Sequence, residues 1–149
     1  MRAVVQRVRR ASCEVEGKVI GSIDKGIVVF LGIGKEDDLK DAEYLAHKIA
    51  HLRIFEDDKG KMNLSLVQVK GEALVVSQFT VYGNCRKGLR PNFVRAASPD
   101  IAENLYLKFV ELMKKEKVVV KTGKFGAMMR VTVDNEGPVT LILDSDREI

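Results

Sequence analysis

Three stretches of this sequence combine residue types that could do chemistry. In "VVSQFTVYGN", residues 75–84, Ser77, Gln78 and Thr80 interrupt an apolar, strand-like run just ahead of a glycine. Hydroxyls in such a run ordinarily bond to backbone inside a core. The other reading is functional: a chain leaving a sheet at this point exposes backbone N–H groups, and such donors stabilise an oxyanion. In "DNEGPVTLIL", residues 134–143, Asp134, Asn135, Glu136 and Gly137 read as a hairpin turn and Pro138 as the start of the return strand. The Gly137–Pro138 bond is compatible with either isomer, cis being the state of about 5–6% of X-Pro bonds in folded proteins.

His47 and His51, the only histidines, lie four apart, a spacing that metal ligands use on a helix. Lys48 follows His47 where a zincin motif has glutamate, so the pair reads as surface histidines and no metal is expected. A Ser-His-Asp or Cys-His arrangement would need that same helix to line the site. Cys13 and Cys85 are far apart with no CxxC spacing and read as reduced thiols. There is no Walker A motif, and "GIGKEDD" lacks the spacing of a dinucleotide fingerprint. No cofactor is expected.

The elements that must position these residues follow from periodicity. "RAVVQRV" alternates as a strand, "EVEGKVIG" as a hairpin turning at Glu16, Gly17 and Lys18, and "GIVVFLGIG" is a glycine-bounded strand covered on both faces. After Asp38 the period changes: Leu39, Ala42, Leu45, Ala46, Ile49 and Leu52 share one face of an amphipathic helix. "FEDDKGK" is a polar turn, and "LSLVQV" and "EALVVSQFTVY" read as strands. From Gly83 to Ala97 periodicity is lost in a loop long enough to bind something. Ser98, Pro99 and Asp100 then open a second helix as hydroxyl cap, first-turn proline and first-turn acid. "VVVKTG", "AMMRVTV" and "VTLILD" close the chain as three strands. Strands outnumber helices without regular βαβ alternation, which predicts an α+β fold: a largely antiparallel, barrel-like sheet with two main helices.

A chain of 149 residues fits one domain, 1–149, with its own core. Hydrophobic residues at 46% and charged residues at 31% fit a globular protein, and the longest apolar run, Gly26 to Gly34, is too short to span a bilayer. "MRAVVQRVRR" has four arginines where a signal peptide needs an apolar stretch, so the expected location is cytoplasmic. The net charge of +4 gathers at Arg2–Arg10, Arg86–Arg95 and Lys114–Lys124, which permits a polyanionic partner without requiring one.

Taken together, "SQFTVY" at 77–82 and "NEGPVT" at 135–140, with "MRAVVQRV", "RIFEDDKGKMN" and "GLRPNF", closely resemble the D-aminoacyl-tRNA deacylases over nearly the whole chain. The resemblance implies a homodimer with its sites at the subunit interface, and an enzyme that hydrolyses the ester joining a D-amino acid to the terminal adenosine of tRNA. It carries Ser77, Gln78, Phe79 and Thr80 over as the wall of the catalytic pocket. It implies a cis bond at Gly137–Pro138, which would reach into the partner's site as the chirality filter, with Arg7 as its support. Val81 and Glu136 stand where leucine or methionine, and aspartate, are common in the family. A filter made of backbone would accept many D side chains and achiral glycine, so glycyl-tRNA is an expected second substrate. An aminoacyl ester is already activated, so hydrolysis needs a placed water and oxyanion donors rather than a histidine base. Two other readings fit the same residues: a nucleic-acid-binding module without catalysis that uses Arg86–Arg95, and a generic esterase with Thr80 as nucleophile.

Overall fold

Strand β1 (Arg2–Val15) is fourteen residues long, and its two flanks organise the sheet. One flank pairs antiparallel with β3 (Gly26–Gly32) along Arg2–Val8, then with β2 (Lys18–Ile23) along Ala11–Val15. The other pairs with the long final strand β8 (Arg130–Asp144). Glu16 and Gly17, with φ of +50° and +77°, make the tight β1–β2 turn where the sequence placed it. These relations come from a computed structural model that describes residues 1–149.

Two helices make the rest of the sheet parallel. Helix α1 (Leu39–His51) is capped by Asp38, which accepts from the N–H groups of Lys40 and Asp41, while the Asp41 carboxylate returns to the Asp38 N–H. The chain then forms a small β4 (Phe55–Glu56) and β5 (Met62–Leu64) hairpin before β6 (Glu72–Ser77) pairs parallel to β3. Helix α2 (Pro99–Lys115) makes the next crossover, so β7 (Val119–Thr122) lies parallel to β6. Parallel neighbours require such crossovers. The sheet runs β2-β1-β3-β6-β7 with β8 on the far flank of β1, and it is mixed rather than largely antiparallel. It is nearly closed as well: a Cβ on Gly21 of β2 would sit 2.7 Å from the Thr122 carbonyl oxygen of β7.

The central strands are apolar throughout because successive side chains feed two cores. Ile27, Val29, Ala73 and Val75 join Leu45, Ile49, Phe109 and Met113 under the helices. Val28, Leu74 and Val76 turn the other way, against Val8, Cys13 and Ile23. Burial pushes the Cys13 thiol up, fitting an inert reduced cysteine, while Cys85 is exposed and also unpaired. No helix is long and apolar enough to cross a membrane.

Four local expectations change. After Leu64, "LSLVQV" turns instead of continuing as a strand, because Ser65 and Gln68 exchange side-chain-to-backbone hydrogen bonds in both directions. The strand at 72–82 stops at Ser77. Ser98 occupies the N-cap of α2, but its hydroxyl makes no capping bond. Finally, the two strands expected on either side of a hairpin at 134–138 are one strand, β8, running in a single direction along β1.

A buried ionic clamp ties the start of β1 to the β3–α1 turn. The Asp37 carboxylate accepts from the Met1 ammonium at 2.5 Å, the Gly34 N–H at 2.5 Å and the Tyr82 hydroxyl at 3.4 Å. The side chains of Met1 and Asp37 are 0% and 5% exposed, so neither charge has water to fall back on. Burial and the neighbouring Asp37 charge push the Tyr82 phenol well above its ordinary range, keeping it a neutral donor. Removing one partner of a buried pair leaves the other uncompensated. Asp37→Ala is therefore expected to lower unfolding stability by about 3 kcal/mol in a urea titration, several times the effect of an exposed ion pair.

Candidate active site

The end of β6 is shaped by two glycines on its neighbour. The Gln78 N–H donates to the Leu31 carbonyl at 2.8 Å, and beyond that bond the chain tightens into a one-turn 3-10 helix, Phe79–Tyr82. A Cβ on Gly32 would overlap Val81 Cγ2, and one on Gly34 would lie 2.7 Å from the Tyr82 hydroxyl. The missing side chains at these two positions let this turn lie so close. The Val81 N–H closes on the Gln78 carbonyl at 3.3 Å and the Gly83 N–H on the Thr80 carbonyl at 2.8 Å. The N–H groups of Phe79 and Thr80 have no acceptor within the chain. The Gln78 side-chain amide donates to the Thr80 hydroxyl, fixing it as an acceptor.

Beside this turn opens a cleft of about 590 Å³, whose wall is mostly apolar. Ser77, Gln78 and Phe79 form one side, and Phe93, Phe125 and Met129 contribute to the rest. Phe79 and Phe93 meet edge to face at 5.1 Å between ring centroids. Phe93 belongs to the 83–97 loop, which is closed at its neck by reciprocal backbone bonds between Asn84 and Asn92 at 2.8 and 3.0 Å. Beyond the neck, Arg86, Lys87 and Arg90 are exposed and pair with no carboxylate. Arg2, Arg9, Arg10 and Arg95, by contrast, all have acidic partners.

The second locus interrupts β8. Gln6 pairs with Thr140 and Val8 with Asn135, so Glu136–Val139 bulge out opposite the single residue Arg7. The Gly137–Pro138 bond is cis. Arg7 is 6% exposed and has no carboxylate partner. Its guanidinium instead donates to the carbonyls of Ile54 at 2.7 Å and Glu136 at 3.3 Å. Gly137, at φ +121°, leaves room for it: a Cβ there would lie 3.0 Å from Arg7 Nη2. Asn135 buckles the base of the excursion, its amide donating to the Arg7 carbonyl at 2.9 Å and the Val139 carbonyl at 3.0 Å.

The structure thus gathers Ser77, Gln78 and Phe79 at the cleft, with Thr80 joined to them through Gln78. Gly137 and Pro138 are exposed and, with the buried Arg7 behind them, form a separate group, none of which lines the cleft of the same chain. Neither histidine reaches it either, since both are bonded to Glu116. Sequence reasoning missed Phe93, hidden in an aperiodic loop, and Asn135, read as an ordinary turn residue. The signal for Asn135 was the set of amides and hydroxyl at Gln6, Asn135 and Thr140, which meet across β1 and β8.

This nearly closed α+β sheet is an architecture found in known proteins. A structure described as a probable eukaryotic D-amino acid tRNA deacylase superposes with a TM-score of 0.82 at 17% identity, covering 95% of this chain and 97% of that one, which establishes the fold alone. A second, "c-Myc DNA Unwinding Element Binding Protein", gives a TM-score of 0.91 at 44% identity, covering 97% of this chain and 98% of that one. The profile of the D-Tyr-tRNA(Tyr) deacylase family matches residues 4–144. The chain is 61% identical to a D-aminoacyl-tRNA deacylase of Desulfatibacillum aliphaticivorans, over 97% of this chain and 99% of that one. It is 58% identical to one of Thermosipho melanesiensis, over 99% of both. The chain belongs to the D-aminoacyl-tRNA deacylase family.

Because Gly32 makes room for the 3-10 turn, Gly32→Ala is expected to loosen that turn selectively. Overpacking of this kind costs about 1–3 kcal/mol. Amide hydrogen exchange at Val81 and Gly83 should accelerate by roughly ten- to a hundredfold, with Val29 in mid-β3 little changed. Equal acceleration everywhere would mean that Gly32 supports the whole sheet instead.

Proposed function

We propose that this protein hydrolyses the ester bond of D-aminoacyl-tRNA, releasing the amino acid and the tRNA. The observation that carries the reading is a pair of unbonded N–H groups, on Phe79 in the wall of an apolar cleft and on the adjoining Thr80, in a chain of this family. Water attacks the ester carbonyl, and the negative oxygen that forms is held by these donors. Collapse of the intermediate breaks the bond to the ribose oxygen, which leaves as a hydroxyl. The substrate's neighbouring ribose hydroxyl assists the water. Ser77 and Gln78 complete the wall, Gln78 holding Thr80 in place.

Selectivity is assigned to the Gly137–Pro138 excursion of a second copy of the chain, held out by Arg7. Its exposure, and its separation from the cleft of its own chain, fit a unit that reaches into a partner. In a homodimer, backbone carbonyls of the excursion would hold the α-ammonium group and leave no room for an L side chain. Glycine, which has no side chain to exclude, would be a second substrate. The unpaired cations Arg86, Lys87 and Arg90 suit the phosphates of the tRNA end, and the cytoplasm is where charged tRNA is found.

Matched D-tyrosyl- and L-tyrosyl-tRNA test the activity: the D ester is expected to be cleaved and the L ester to remain at background. Gel shift of tRNA with both esters intact would instead favour a non-catalytic nucleic-acid binder. Thr80→Ala is expected to keep activity within about a hundredfold, whereas loss of an essential nucleophile costs on the order of a million-fold. An inactive, folded Thr80→Ala protein, with a trapped acyl-Thr80 in the parent, would favour the covalent route. Affinity for tRNA is expected to fall steeply between low and high salt, and Arg86→Ala or Arg90→Ala to flatten the slope by about one unit each on a log–log plot.

A further inference from the structure

Helix α1 and the end of α2 bring together a donor set that the cleft does not use. His47 and His51 stand one turn apart on α1, and Glu116, the C-cap residue of α2, reaches between them. One carboxylate oxygen lies 3.0 Å from His47 Nδ1 and the other 2.8 Å from His51 Nε2. The two imidazoles are 4.5 Å apart between centroids and tilted by 39°. One ligand atom from each residue falls within 4.8 Å of the others. None of the three lines the cleft.

We propose that His47, His51 and Glu116 bind a first-row divalent cation of the zinc class, as a clip between α1 and α2. Two imidazoles and a carboxylate are a donor set that such ions favour, and they leave a tetrahedral centre one position for water. The third ligand comes not from the "HKIAH" stretch itself but from Glu116, 65 residues beyond His51. The geometry is preassembled: the carboxylate already spans both rings, so the ion would replace two hydrogen bonds by three coordinate bonds after small side-chain rotations. Helix spacing holds the histidines, and the C-cap holds Glu116, whose N–H bonds back to the Leu112 and Met113 carbonyls. The site is open to solvent at His47 and His51, which are 70% and 43% exposed, so the ion has an entry path. Neither ring has a further hydrogen-bond partner to orient its second nitrogen. Such support commonly raises affinity by 10–100-fold, so binding on the order of micromolar is expected rather than permanent retention.

The test uses tag-free, full-length protein carrying Cys85→Ser, which removes the one exposed thiol that could compete. Calorimetric titration with zinc should give one site per chain, and cobalt should give the intense visible bands of a tetrahedral N/O site. Added zinc should raise the thermal midpoint in a concentration-dependent way, reversed by a chelator. His47→Gln, His51→Gln and Glu116→Gln should each lower affinity at least tenfold and remove the thermal shift, while circular dichroism without metal stays as in the parent. Absence of saturable zinc binding below about 100 micromolar, or binding that survives His47→Gln combined with His51→Gln, would overturn the proposal.

Discussion

The constraint on which the rest depends is the Asp37 carboxylate, held almost without water between the chain's first ammonium group, a backbone N–H and the Tyr82 phenol. A buried carboxylate is costly unless its charge and lone pairs are met by donors. The arrangement of those donors fixes three things at once: the register in which β1 begins, the turn from β3 into α1, and the last residue of the 3-10 helix beside the cleft. Arg2 extends the lock, stacking over the Tyr82 ring at 4.9 Å while pairing with the buried Asp144 at the end of β8. The first and last strands and the cleft wall are therefore positioned by one connected set of charges, although the cleft itself contains none.

That separation has chemical sense. In the proposed reaction, a cleft walled by Phe79, Phe93, Phe125 and Met129 would offer little competition for a developing charge. Unbonded N–H groups in such surroundings act more strongly than they would in water, and they require no proton acceptor. Formal charge lies outside instead, on the loop beyond the Asn84–Asn92 neck and on Arg7 behind the Gly-Pro excursion. Arg7 has only carbonyl partners, so its charge orients backbone dipoles rather than cancelling against an acid.

The fold was legible where one signal sufficed. The helical faces at 39–51 and 99–115 and the doubly covered strand at 26–32 followed from period and composition. Parallel pairing was not legible, because nothing local distinguishes a crossover helix from one packed at the end of a meander. The Gly-Pro stretch misled through its composition: Asn, Gly and Pro ordinarily reverse a chain, yet Asn135 clasps both sides of the excursion and β8 continues. Gly32 and Gly34 read only as strand punctuation, whereas they set how closely the 3-10 turn approaches. Glu116 could not be linked to His47 and His51 without knowing how the two helices pack.

The excursion in β8 also bears on how the chain behaves in a crowded solution. A fifteen-residue strand at the edge of a sheet, with Ile142 exposed beside it, is a template for uncontrolled strand addition by other chains. Glu136–Val139 split that edge into two short runs, Arg130–Asn135 and Thr140–Asp144, so no fifteen-residue ladder can form along it. Proline supplies no N–H to an incoming strand, and Glu136 sets a negative charge at the break. An interruption that holds Gly137 and Pro138 out from the ladder thus also denies other chains a continuous edge to pair with.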